Sequence, residues 1–193
     1  ALFLGGCALG LLVIPQSVAR PATRALAGFP LLFILGGSAG IALYLLGGTV
    51  RAGLSFVLAV SAALIVLALW RGTARELWKP RELLLLAGLL LCGYLLAFFG
   101  WGETADGTVR AMSGSWGDGP LHTLVAEAFA RRPGHDLSMP AFAGERLREP
   151  FGYDFVAAML RRGGFTVGGA FTLPAAALLA CLLAWVGQVA RVL

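Results

Sequence analysis

Leu83-Leu84-Leu85-Leu86-Ala87-Gly88-Leu89-Leu90-Leu91-Cys92-Gly93-Tyr94-Leu95-Leu96-Ala97-Phe98-Phe99 runs without a single charge. A helix crossing a hydrocarbon core needs roughly 20 mostly apolar residues, and this run with its flanks approaches that length. In lipid a backbone can satisfy its polar groups only internally, so the run must be helical. Working outward, similar runs occupy 1–14, about 26–46 (starting at Leu26 or Phe29), about 52–70 and about 170–189. The first is at the short end. Composition agrees: 59% of the 193 residues are hydrophobic and 13% charged, against roughly 45–50% and 25% in soluble domains. The expected fold is an all-α polytopic membrane protein with about five transmembrane helices.

Beyond Phe99 the chain changes character. Residues 101–168 hold eight of the ten Asp and Glu and form the only long segment that could not sit in a bilayer. The expected organisation is therefore 1–100 as transmembrane helices one to four, 101–168 as a polar loop, and 169–193 as a fifth transmembrane helix.

Charge distribution excludes one function class and sets an orientation. The formal +5 divides into −1 over 101–168, with seven Arg against eight acids, and +6 elsewhere. The excess lies in short connections: Arg20 and Arg24 in 15–25, and Arg71, Arg75, Lys79 and Arg81 in 71–82, against Arg51 alone at 47–51. Scattered cations of this kind follow the positive-inside rule and do not form the continuous basic patch that grips nucleic acid. The two basic connections are expected on the cytoplasmic side, which places 101–168 outside a bacterial inner (plasma) membrane. Trp70 and Trp78 at one boundary, and Phe98, Phe99 and Trp101 at the other, suit interfacial anchors.

Cys7, Cys92 and Cys181 lie singly in apolar runs with no CxxC pair, and read as small hydrophobes. Gly36-Gly37-Ser38-Ala39-Gly40 lies mid-span with no strand before it, so it reads as a helix contact face and not as a phosphate cradle.

Within the loop, Gly102 to Gly119 is rich in Gly, Ser, Thr and Asp and is expected to be irregular. Pro120 then suits the first turn of a helix, with Asp118 placed to cap it. Leu121, Leu124, Val125, Ala128 and Phe129 follow in one apolar stripe, closed by Arg131, Arg132, Pro133 and Gly134. After a coil containing Pro140 and Gly144, Pro150 opens a second short helix. Its stripe is Phe151, Phe155, Ala158 and Met159, and Arg161, Arg162 and Gly163-Gly164 close it. Both helices are too short to span, so they are expected to lie at the membrane interface of an external loop.

Asp118 and His122 stand four apart and share a face of the first helix. A carboxylate and an imidazole held together can act as base and orienting partner, or supply two ligands to a divalent metal. The plainer alternative is a capping aspartate beside an ordinary interfacial histidine. Asp154 sits next to an apolar face, where a charge needs a partner; Arg146, Arg148, Arg161 or Arg162 is the expected one. Glu145 follows Ala143-Gly144, where the loop turns back toward the membrane. His135-Asp136 reads as solvated loop.

Trp116-Gly117-Asp118 with His122, followed by Pro140-x-x-Ala143-Gly144-Glu145-x-Leu147-x-x-Pro150-Phe151-Gly152-x-Asp154-Phe155, resembles polytopic bacterial membrane proteins of the GT-C glycosyltransferase superfamily. The resemblance covers roughly 113–175. It implies an integral membrane enzyme that takes a sugar from a polyprenyl-phosphate donor and passes it to an acceptor on the outer face. It makes Asp118 the catalytic carboxylate, with His122 in support, and Glu145, Arg146, Arg148, Asp154, Arg161 and Arg162 as substrate-binding candidates. An arginine would offset charge on the leaving phosphate. Since the family has about twice as many spans, the expectation is either one piece of a longer enzyme or a related scaffold doing something else. Membrane lipid and the lipid-linked sugar are the partners expected, with no nucleic acid. The rival reading is a non-catalytic membrane subunit whose apolar, Gly-rich helices pack against partner proteins.

Overall fold

The structure, a computed structural model, describes residues 1–98, 101–103, 109–111, 119–132, 137–138, 151–191 and 193. Helix α1 spans Leu2–Val13, α2 Pro21–Leu45, α3 Val50–Trp70 and α4 Pro80–Phe98, with a 3-10 turn at Thr73–Trp78 before α4. Strands β1 (Trp101–Glu103) and β2 (Val109–Ala111) pair antiparallel, with Gly102 opposite Arg110. Helices α5 (Gly119–Arg131), α6 (Gly152–Arg162) and α7 (Val167–Val189) complete the chain. The small hairpin stands in part of the segment expected to be irregular.

Helices α2, α3, α4 and α7 are long and apolar enough to cross a membrane, with mean hydropathies of 1.9, 2.5, 1.6 and 2.0. The protein is an all-α polytopic membrane protein. Helix α1 is apolar but has only 12 residues, too few to cross alone at 1.5 Å rise per residue.

The chain forms two compact units: one contains 1–34, 58–98 and 173–193, the other 35–57 and 99–172. In the first, α1 packs on α2 at a glycine crossing. A Cβ on Gly28 would lie 1.9 Å from the Gly6 carbonyl oxygen, and one on Gly10 1.9 Å from the Arg24 carbonyl oxygen. Small residues permit such approaches where lipid offers side chains no hydrophobic gain from association. Phe3 packs on Phe29 with its ring tilted and centroids 4.6 Å apart, and Cys7, Leu11, Ala25 and Ala177 fill the space around them. Cys7 is thus the small buried hydrophobe its surroundings suggested.

Arg24, only 2% exposed, ties this unit together. Its Nε donates to the Ile14 carbonyl at 2.7 Å, Nη2 donates to the Leu11 carbonyl, and Nη1 donates to Glu76 at 2.8 Å. The two carbonyls lie at the C-terminal end of α1 and just beyond it, where intrahelical donors run out. Glu76 also accepts from Gln16. Connections 15–25 and 71–82 therefore meet.

In the second unit, Gly36-Gly37-Ser38-Ala39-Gly40 is a contact face. A Cβ on Gly36 would meet Val57 at 2.8 Å, on Gly37 Val156 at 3.1 Å, and on Gly40 Phe155 at 3.0 Å. Gly53 of α3 also closes on Gly40, its added Cβ falling 3.0 Å from the Gly40 Cα.

Candidate functional site

Helices α5 and α6 carry the described candidate residues. α5 begins at Gly119-Pro120, where the missing proline N–H is one that the first turn would leave unbonded anyway. Thr123 Oγ1 donates to the Gly119 carbonyl at 2.9 Å. The expected stripe has its register turned: Val125, Ala126, Phe129 and Ala130 are buried, while Leu124 is exposed. His122 lies three, four and seven residues before Val125, Ala126 and Phe129, hence on the face that packs.

α6 departs further from a one-sided helix. Seven consecutive residues, Asp154 to Leu160, are buried. Val156 faces Gly37, Phe155 and Met159 face Gly40, and Leu54 approaches Gly163. Tyr44 and Phe129 meet Phe155 edge-on, at 5.6 and 5.5 Å between centroids, a favoured aromatic geometry. Helix α6 is thus enclosed by α2, α3 and α5 within the second unit. It ends at Gly163-Gly164, where the amide of Phe165 donates to the Leu160 carbonyl at 3.1 Å. Gly164 at φ +92° takes the left-handed conformation that closes such a helix end.

Asp154 and His122 meet across the α5–α6 contact. With Asp154 ionised, His122 Nδ1–H donates to both carboxylate oxygens, at 3.0 and 3.1 Å. Asp154 is 2% exposed, and the His122 side chain 40% exposed. Burial pushes the Asp154 carboxyl above the usual carboxylate range, while the hydrogen bond and charge interaction with His122 pull it back down. Its place in the first turn of α6 also sets the carboxylate in the favourable field of a helix N-terminus. A ring fixed through Nδ1 has Nε2 as its one nitrogen for other chemistry.

A second clasp follows. Arg161 Nε donates to Glu127, which also accepts from Arg131 Nη2 at 3.1 Å. Arg161 Nη1 donates to the Phe165 carbonyl at 2.7 Å. The start of α5 thus pairs with the start of α6, and the middle of one with the far end of the other. The two helices run in the same general direction.

Two expectations change. The partner of Asp154 is His122, not an arginine, and Arg161 is tied to Glu127. Arg162 is exposed. Asp118, Glu145, Arg146 and Arg148 lie outside the described residues, as do Trp116, Gly144 and His135-Asp136. Glu127 was not singled out, although its i,i+4 spacing to Arg131 was a readable sign. Among the described residues no group of three or more His, Cys, Asp or Glu side chains is arranged to hold a metal ion.

Comparison with protein families, with curated proteins and with solved structures gave no match.

Proposed function

We propose that this chain is a membrane glycosyltransferase of the GT-C kind, moving a sugar from a polyprenyl-phosphate donor to an acceptor at the outer face of a bacterial inner membrane. The observation that carries the reading is a histidine gripped by a buried carboxylate in the first turns of α5, four residues after Asp118. The pair satisfies the buried carboxylate and at the same time fixes the ring so that Nε2 is its one nitrogen for other chemistry.

In this reading Asp118 accepts the proton of the acceptor hydroxyl as that oxygen attacks the anomeric carbon. The bond from that carbon to the donor phosphate breaks, and the lipid phosphate leaves as an anion. His122, held by Asp154 through Nδ1, directs Nε2 toward the reacting groups. Arg161 is bound to Glu127, so Arg146, Arg148 and Arg162 remain to meet the phosphate. Glu145 remains a candidate contact to the sugar.

A second reading, a non-catalytic subunit, draws on α3 and α4. Only 22% of the membrane-length apolar stretch of each is buried, which leaves broad faces for lipid or for partner helices.

The test is transfer of labelled sugar from a polyprenyl-phosphate donor by the reconstituted chain. Asp118→Asn should lower the rate by at least the roughly 100-fold that a positioned base contributes. Asp118→Asn activity within twofold of the unaltered chain would remove that carboxylate from the mechanism.

A further inference from the structure

The first unit contains a polar cavity of about 470 Å³ lined by Gln16, Arg20, Arg24, Glu76, Lys79 and Gln188, with Ser17, Val18, Ala19 and Pro21 completing its wall. That volume lies in the range of small-molecule sites. Its position follows from the sequence: Arg20 immediately precedes α2, Lys79 immediately precedes α4, and Gln188 lies in the last turn of α7. The cavity therefore opens where three membrane-length helices end, at the depth of a lipid headgroup if those helices span.

The electrostatics are one-sided. Glu76 is the only acid among the lining residues, and it already accepts from Arg24 and Gln16. Arg24 is the buried floor, fixed to Glu76 and to two carbonyls at the end of α1. Arg20 and Lys79 have no carboxylate partner among the described residues. Two uncompensated cations, neutral donors at Gln16, Ser17 and Gln188, and exposed Val18 at the rim suit an anion with several acceptor oxygens on an apolar stem. The amide of Ala22 in the first turn of α2 donates to Glu82 at 3.2 Å, so these side chains, and not the helix end, make the site. Basic pockets among membrane helices are general sites for phosphate-bearing headgroups.

We propose that this cavity binds a phosphate-bearing anion, with Arg20 and Lys79 in direct contact and Arg24 holding the walls in place. The proposal is independent of the glycosyltransferase reading, since it uses neither α5 nor α6.

The test is thermal unfolding of the chain in nanodiscs of phosphatidylcholine, of phosphatidylcholine with phosphatidylglycerol, and of phosphatidylcholine with added inorganic phosphate. The unaltered chain should unfold at higher temperature with phosphatidylglycerol if the anion is a lipid headgroup. It should do so with inorganic phosphate if the anion is a soluble phosphate ester. In R20Q/K79Q the rise should fall by at least half, while R20K/K79R keeps it. R71Q/R75Q removes the same charge from residues outside the cavity and should also keep it. A rise that survives R20Q/K79Q, a rise lost equally in R71Q/R75Q, or no rise with either probe would overturn the proposal. Native mass spectrometry of the unaltered chain applies even if R20Q/K79Q does not fold. Selective retention of phosphatidylglycerol over phosphatidylcholine, or of phosphate, supports the site, and retention of neither overturns it.

Discussion

Asp154→Asn separates what the buried carboxylate does for stability from what it does for His122. Asparagine keeps the shape and one acceptor oxygen, so Nδ1–H retains a bond near the observed 3.0 Å, but the charge is gone. A hydrogen bond to a charged group contributes about 1.5–3 kcal/mol net; with the His122 side chain 40% exposed, solvent screening puts this one at the low end. Against that loss, the variant no longer holds a carboxylate where burial disfavours its charge, a relief that acts in the opposite direction. The expected net change at neutral pH is within about 1 kcal/mol, roughly 2–4 °C in a chain of this size. The pH dependence gives the sharper reading. Below the ordinary carboxyl value, about 3.9, Asp154 is protonated in both folded and unfolded chains and burial costs it little. As pH rises through the raised folded value, the folded chain must carry a desolvated carboxylate, so this group's contribution to stability is lost. Stability of Asp154→Asn relative to the unaltered chain should therefore improve between about pH 4 and neutrality. In a His122→Ala background the improvement should be larger, because His122 opposes the effect of burial. Thermal unfolding in nanodiscs at several pH values measures both, and a difference of opposite slope would refute the account. Sugar transfer should nonetheless fall about 10- to 100-fold, part of what a positioned acid or base contributes.

Two further perturbations test the first unit. Arg24→Met leaves the Leu11 and Ile14 carbonyls without this donor and removes the cation from Glu76, which keeps only Gln16; it should destabilise by about 3 kcal/mol, the lower end for breaking a buried pair, seen as a drop in unfolding temperature. Gly28→Ala sets a methyl group 1.9 Å from the Gly6 carbonyl oxygen and 2.4 Å from the Gly10 amide nitrogen. Both obstacles are backbone, so α1 must move; loss of about 3 kcal/mol and faster proteolysis within 1–20 are expected, whereas Gly187→Ala, with open space around it, should be silent.

The spans and the two short helices were legible because their signals are local. Leu83 to Phe99 carries its own length and hydrophobicity, and Pro120, Arg131, Arg161 and Gly163-Gly164 mark helix ends within a few residues. The contact role of Gly36 to Gly40 was legible for the same reason. The partner of Asp154 was not, because His122 is 32 residues away and charge matching favours an arginine over an imidazole. Nor could the register of α5 be read, since Leu121, Leu124 and Ala128 look as apolar as Ala126 and Ala130. Which apolar residues face inward depends on α6, and the stripe alone contains nothing about α6.

The enclosure of α6 changes what the polar segment is. A loop helix resting on a surface would leave one side of Asp154 to Leu160 open, yet all seven are buried. Val156, Phe155 and Met159 meet Gly37, Gly40 and Gly53, residues that sequence order assigns to membrane helices. Residues 35–57 accordingly belong to the same compact unit as 99–172. The glycines of α2 and α3 thus set how closely α6 can approach, and α6 in turn sets where Asp154 holds His122. A side chain at Gly40 would press on Phe155 and Met159, one and five residues beyond Asp154, before it touched anything polar. The geometry of the His122–Asp154 pair is therefore a property of the membrane helices as much as of the loop that carries it.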